Sequence, residues 1–132
     1  MILVDTPIWS EALRRFKNPN VKIKNELTRL ILSRFALLIG PVRQELLSGI
    51  NDAKMFDRIR SELAAFQDCV LETPDYETAA EFFNRCRGKG VQGSNTDFLI
   101  CAIAARRKYQ IFTTDKDFEN YSRILPIKLF RG

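Results

Sequence analysis

The apolar residues of this chain fall in short clusters whose spacing alternates between strand-like runs and helical periodicity. Ile2-Leu3-Val4 is an apolar run of strand length that ends at Asp5. Thr6-Pro7 then reads as an N-cap followed by proline at the first helical position, opening a helix to about Arg15. After the Asn18-Pro19-Asn20 break, Leu27, Leu30 and Ile31 mark a second amphipathic helix, from Val21 to about Arg34. Residues 35–39 have the length and content of a buried strand, which Gly40-Pro41 ends while starting a helix through Val42, Glu45, Leu46 and Leu47 to about Gly49. Asn51-Asp52 caps the next helix, which runs to about Phe66 with Phe56, Ile59, Leu63 and Phe66 on one face, and residues 69–71 suit a short strand. Pro74-Asp75 opens a long helix to about Arg87, with Ala79, Ala80, Phe83 and Cys86 expected to face inward. A loop with three glycines covers residues 88–94, and Ser94 or Asn95 caps a helix to about Arg107. Its stretch 98–105 is apolar nearly all round, which predicts a central helix. A strand at 111–113, a short helix at 115–121 and a last strand at 127–130 complete the chain. Short apolar strands separated by helices predict an α/β fold with a parallel sheet covered on both faces.

Composition narrows the chemistry. At 132 residues, with 45% hydrophobic and 28% charged residues, the chain is expected to be a single globular domain spanning residues 1–132. Its apolar stretches are too short to span a bilayer, and Met1 leads into the first strand with no basic leader, so no membrane association and no secretory signal are expected. Three cysteines without CxxC spacing read as reduced thiols, Cys86 and Cys101 in the core, in a cytoplasmic protein. Histidine is absent. That removes Ser-His-Asp triads, Cys-His pairs and His-based zinc sites together, so any catalysis must run on carboxylates, lysines, tyrosines or cysteines. The net charge of +5 is weak support for a polyanionic partner.

Active sites of open parallel sheets form beyond the carboxyl ends of the strands. Asp5 follows the first strand, Asp115 and Asp117 follow the strand at 111–113, Glu45 lies on the helix after the strand at 35–39, and Asp97 sits in the first turn of the central helix. Singly, each has a plain explanation. Ser94-Asn95-Thr96-Asp97 matches a capping box, Asp115 and Asp117 suit a helix N-terminus, and Glu45 is an ordinary surface charge. Asp5 is harder to dismiss, because Thr6 is available to cap. Together they resist that account. Two unit charges about 4 Å apart repel by about 4 kcal/mol at an effective dielectric near 20, so a converging set needs raised pKa values or bound cations. Oxygen ligands suit Mg²⁺ or Mn²⁺, which can activate water for hydrolysis of a phosphodiester.

Four segments carry a resemblance to a known family: Ile2-Leu3-Val4-Asp5-Thr6 with Trp9 after it, Val42-Arg43-Gln44-Glu45-Leu46-Leu47, Asn95-Thr96-Asp97-Phe98-Leu99-Ile100 with Ala102, and Thr113-Thr114-Asp115-Lys116-Asp117-Phe118. In this order and at this length the chain resembles a PIN domain, and within that family a VapC-type toxin. The resemblance implies a three-layer fold with a mostly parallel sheet of four to five strands and about seven helices. It implies an acidic site of Asp5, Glu45, Asp97 and Asp115, with Asp5, Asp97, Asp115 and Asp117 as ligands of Mg²⁺ or Mn²⁺ and Thr6 and Thr113 in support. The implied reaction is cleavage of structured RNA, such as tRNA or rRNA, leaving 5′-phosphate and 3′-hydroxyl ends. A cognate antitoxin and a homodimer are implied as well. One departure is Pro7, which stands where the family more commonly has a small hydroxyl residue, removing one contact and tuning activity down.

Arg43, Arg85, Arg87, Lys89 and Lys116 are the basic residues expected near the site, as phosphate contacts. Arg106-Arg107-Lys108 suits the negative end of the central helix instead. Trp9, Leu13 and Phe16 with Leu27, Leu30 and Ile31 would be core or would line an antitoxin groove. Rival readings are a PIN nuclease of RNA maturation or decay, a non-catalytic RNA-binding module and a phospho-accepting receiver domain. The last lacks an acidic pair at the end of the first strand, since Val4 precedes Asp5.

Overall fold

A computed structural model describes residues 1–14 and 17–132. Strand β1 (Ile2–Val4) is followed by α1 (Thr6–Leu13), α2 (Val21–Leu32), β2 (Ala36–Leu37) and α3 (Gly40–Leu47). Then come α4 (Ala53–Leu63), α5 (Thr73–Arg87), α6 (Asn95–Arg107), β3 (Gln110–Phe112), α7 (Asp117–Ser122) and β4 (Lys128–Leu129). The four strands form one sheet in the order β2-β1-β3-β4, with every pairing parallel. This is the predicted α/β arrangement, because parallel neighbours need helical crossovers. Leu3, Val4 and Ile111 are wholly buried, which explains why the strand sequences are continuous apolar runs.

Helix α6 is central, as its composition predicted: Phe98 and the block Ile100, Cys101, Ala102, Ile103 and Ala104 are buried. Helix α5 packs along it. Its inward stripe is Ala79, Phe82 and Cys86, whereas Ala80 is exposed and Phe83 half-buried. Ala79 and Cys86 face inward as expected, while Phe82 takes the place expected for Phe83 and Ala80 lies outside. Adjacent phenylalanines at 82 and 83 allow either rotation, and the contact with α6 selects one.

Three expected strands shrink, the last of them from 127–130 to Lys128–Leu129. The segment 69–71 forms no strand; Asp68 makes a single parallel bridge to Leu38, with the Cys69 N–H donating to Leu38 O at 2.8 Å. The strand at 35–39 keeps only Ala36–Leu37, and Phe35 is exposed rather than buried. Strand β2 ends the strand order, so β1 is its one full strand partner, and on its other side the 68–69 segment adds the single bridge at Leu38. Trp9, Leu27 and Leu30 are core, with the Trp9 indole N–H donating to Val4 O at 3.2 Å, while Leu13 and Ile31 are half-buried. Arg15 and Phe16, the expected end of the first helix and a member of the apolar stripe, lie outside the described residues.

Candidate active site

The register of β1 against β3 places their carboxyl ends together. Val4 pairs with Phe112, and the Asp5 N–H donates to Phe112 O at 2.9 Å. Asp5 and Thr113 thus emerge side by side. The Thr113 hydroxyl donates to Asp5 Oδ2 at 2.7 Å and accepts from the Asp115 N–H at 3.0 Å, so one side chain fixes two acids.

Asp5 Oδ1 accepts from the Thr6 N–H at 2.8 Å, which makes Asp5 the N-cap of α1. The expectation that Thr6 caps this helix, with Pro7 as its first residue, is corrected by that bond. Thr6 is the first helical residue, and its hydroxyl is free to donate to Glu45 Oε1 at 2.6 Å across from α3. Capping alone does not account for Asp5, however. It is 3% exposed, and its pKa is pushed up to about 6 by burial and then by the charges of Asp97 and Asp115. These outweigh the hydrogen bonds from Thr113 and Thr6, which pull the other way.

Asp97 is anchored by its backbone, whose N–H donates to Ser94 Oγ at 3.0 Å. That is one half of the expected capping box. The carboxylate does not supply the other half: its Oδ2 is turned to accept from the Tyr121 hydroxyl at 2.8 Å. Burial raises the Asp97 pKa, helped by the charges of Asp115 and Glu45 and opposed by the bonds from Tyr121 and Ser94.

Asp115 Oδ1 accepts from the Asp117 N–H at 2.9 Å, so the carboxylate that shapes the start of α7 belongs to Asp115, while Asp117 is exposed in the first turn. Burial raises the Tyr121 pKa, as do its bond to Asp97 and the charges of Asp97, Asp117 and Asp115. All five predicted carboxylates therefore share one electrostatic neighbourhood on the carboxyl rim of the sheet. Among the described residues none of the five makes an ion pair, although other acids do so repeatedly.

The donor chemistry fits a hard divalent cation, since every candidate ligand is a carboxylate or hydroxyl oxygen and the acids repel one another as they stand. Among the described residues, no group of three or more His, Cys, Asp and Glu side chains is already placed to hold an ion. The set is open rather than a preformed cage.

The basic residues divide. Arg43 donates to Asp68 Oδ1 at 2.9 Å, to Leu63 O at 3.0 Å and to Phe66 O, tying α3 to the end of α4. Its donors are engaged within the fold. Arg85 lies over the Phe82 ring at 5.4 Å and Arg87 over Phe83 at 5.8 Å, with their charges at the surface. Arg87 also lines a small cleft with Gln92, Gly93 and Phe98, beside the loop that leads into Asp97. Lys89 and Lys116 are exposed. Arg106 and Arg107 hold the buried Asp75, a pairing that the helix-dipole reading of that segment did not include.

Tyr121 is the site residue that sequence reasoning passed over. Its only signal was a phenol among the apolar positions of a short helix. An apolar groove of about 470 Å³ between α5 and α6, lined by Tyr76, Phe83 and Leu99, contains none of the site acids.

The family model for the PIN domain matches residues 2–124. The chain belongs to the PIN-domain family. This PIN domain resembles FitAcB from Neisseria gonorrhoeae, at a TM-score of 0.78 with 22% identity, over 99% of this chain and 97% of that one. It resembles FitAB bound to an IR36 DNA fragment at a TM-score of 0.78 and 24% identity, over 98% and 94% of the two chains. VapBC2 from Rickettsia felis, bound to a DNA fragment from their promoter, aligns at a TM-score of 0.75 and 20% identity over 98% of both chains. At these identities the likeness is one of fold. No curated protein is similar enough in sequence to count as a match. Among the described residues, no helix is long and apolar enough to cross a membrane.

Proposed function

We propose that this PIN domain is a metal-dependent endoribonuclease that cleaves structured RNA such as tRNA or rRNA, and that it is the VapC-like toxin of a toxin–antitoxin pair. The observation that carries the activity is a rim of five carboxylates with no cation partner among the described residues, one of them buried and pushed up to a pKa of about 6. Such a cluster carries an electrostatic cost that raised pKa values relieve in part and a bound cation would relieve further.

Asp5, Asp97 and Asp115 would hold Mg²⁺ or Mn²⁺, with Asp117 as an additional ligand at the exposed end. A divalent ion there supplies charge neutralisation at the scissile phosphate and makes water more acidic. The chain's own residues do the rest. Thr113 fixes Asp5 and Asp115 relative to each other, and Thr6 fixes Glu45. Glu45 is exposed and engages Thr6 through Oε1, so its Oε2 can accept a proton from the attacking water. Arg85, Arg87, Lys89 and Lys116 are surface cations that would hold phosphates without reading bases. Arg43, already engaged, would act through the fold instead.

The toxin reading rests on the sequence resemblance and on the likeness in fold to the FitAB and VapBC2 chains, which brings with it an antitoxin protein as partner, a homodimer and a cytoplasmic setting. The test is incubation of purified chain with end-labelled total tRNA and rRNA in Mn²⁺, Mg²⁺ or EDTA. Discrete fragments bearing 5′-phosphates, formed only with metal, are expected. RNA left intact with either metal, or cut equally well in EDTA, would count against it.

A further inference from the structure

We propose that the buried Tyr121 hydroxyl, seated in space left open by Gly93, is a positioning residue that aims the Asp97 carboxylate at a divalent cation. The inference rests on the metal-site reading above and adds a residue to it.

Asp97 has a local alternative. It occupies the third position after Ser94, where an acidic side chain can turn back and close a capping box. It does not do so because a better donor faces it. Tyr121 is fully buried, its ring 5.1 Å from both Phe98 and Phe118, so the hydroxyl has little freedom to leave. Its one proton goes to Asp97 Oδ2 at 2.8 Å, while Gln92 O at 3.4 Å is too far to compete well.

Gly93 completes the arrangement. A Cβ built there would lie 2.2 Å from the Tyr121 hydroxyl oxygen and 2.8 Å from its ring carbon Cζ. Gly93 is not among the residues with positive φ, so its backbone is open to any residue and glycine is needed for space. The glycine loop, the tyrosine of α7 and the acid of α6 thus form one closed contact leading to a carboxylate oxygen. Partners that hold ligands in this way commonly govern metal affinity by about ten- to a hundredfold.

The test is a Mn²⁺ titration of the full chain, read by the electron paramagnetic resonance of free Mn²⁺, for wild type, Tyr121→Phe, Asp97→Asn and the double variant. Melting in EDTA shows that each is folded. Tyr121→Phe keeps the ring and its packing, and should weaken Mn²⁺ binding about ten- to a hundredfold. In the Asp97→Asn background it should add less than about twofold, because the hydroxyl acts through that carboxylate. Gly93→Ala, which displaces the hydroxyl while retaining it, should also weaken binding and gives a second, independent variant. Wild-type affinity in Tyr121→Phe, or penalties that multiply in the double variant, would overturn the positioning role while a weak Asp97→Asn left the metal site standing. A wild-type chain that binds no Mn²⁺ would overturn both.

Discussion

Asp5 and Asp75 are the two acids that the fold buries, at 3% and 0% exposure, and their surroundings are opposite. Asp75 Oδ2 accepts from the Glu72 N–H at 2.8 Å, and the carboxylate is gripped by the guanidinium groups of Arg106 and Arg107. Burial alone would raise its pKa, but the bonds from Glu72 and Arg106 and the charges of both arginines more than offset this and hold it below the usual range. Asp5 has no cation partner among the described residues; its charged neighbours there are Asp97 and Asp115, and its pKa rises. Asp75 is a closed structural centre that joins α5 to the end of α6. Asp5 is the inner end of a set still lacking positive charge. Burial does not distinguish the two acids, but the sign of the neighbouring charge does, and it is on that sign that the proposed functional role of Asp5 rests.

The strongest challenge to this comparison is to neutralise one acid on each side. Asp97→Asn should reduce RNA cleavage to background with the far-ultraviolet circular dichroism unchanged. Asp75→Asn should leave cleavage per folded molecule intact. The reverse pattern would exchange the roles of the two centres. In stability the order inverts. Asp75→Asn removes the buried charge that both arginines share, leaving Arg107 with the longer contact to Glu72, and urea unfolding should show a loss of about 3 kcal/mol, the low end for breaking a buried pair.

Asp5→Asn should act in the opposite direction. The folded pKa of about 6 lies above the unfolded value near 3.8, so the protonated form is the one favoured by folding. The contribution of Asp5 to stability is full below the unfolded value and is lost as the pH rises through about 6. Metal-free Asp5→Asn at pH 7 should therefore be more stable than wild type by about 1–3 kcal/mol, with the gap closing by about pH 4. The lower figure allows for one hydrogen bond that an amide cannot accept. A variant less stable than wild type at pH 7 would mean that the hydrogen bonds from Thr6 and Thr113 outweigh the repulsion. The smallest effect belongs to the surface. Arg87→Ala should weaken RNA binding uniformly across sequences and lower the slope of log affinity against log salt by about 1. An unchanged slope would take Arg87 off the RNA path.

The order of strands and helices was legible because each element carries its own period and its own stop signals. Helix α6 was legible as central from composition alone. The four acid-bearing segments were legible too, since residues placed just after apolar strands fall on one rim of a parallel sheet. What escaped were pairings across long sequence distances. Tyr121 meets Asp97 only because α7 packs against α6, and Arg106 and Arg107 meet Asp75 only because α5 runs beside α6. Arg43 looked like a surface cation until α4 brought backbone carbonyls to it. Thr6 was read as the cap of α1 because Asp and Thr are both good caps, and local preference does not choose between them. The choice was made by Thr113, which directly follows β3, anchors Asp5 at the end of β1 and leaves the Thr6 hydroxyl for Glu45.

The central claim is that the unpaired rim takes up a divalent cation, and the most direct measurement is the melting temperature at pH 7 with and without Mn²⁺. A ligand at a hundred times its dissociation constant adds about 2.7 kcal/mol, which for a domain of this size is a rise of roughly 10 °C. The account predicts a rise of that order in the wild type, growing with Mn²⁺ concentration, and a much smaller one in Asp97→Asn at the same Mn²⁺ concentrations. A wild-type chain whose melting is indifferent to Mn²⁺, or an Asp97→Asn chain that gains as much, would contradict it.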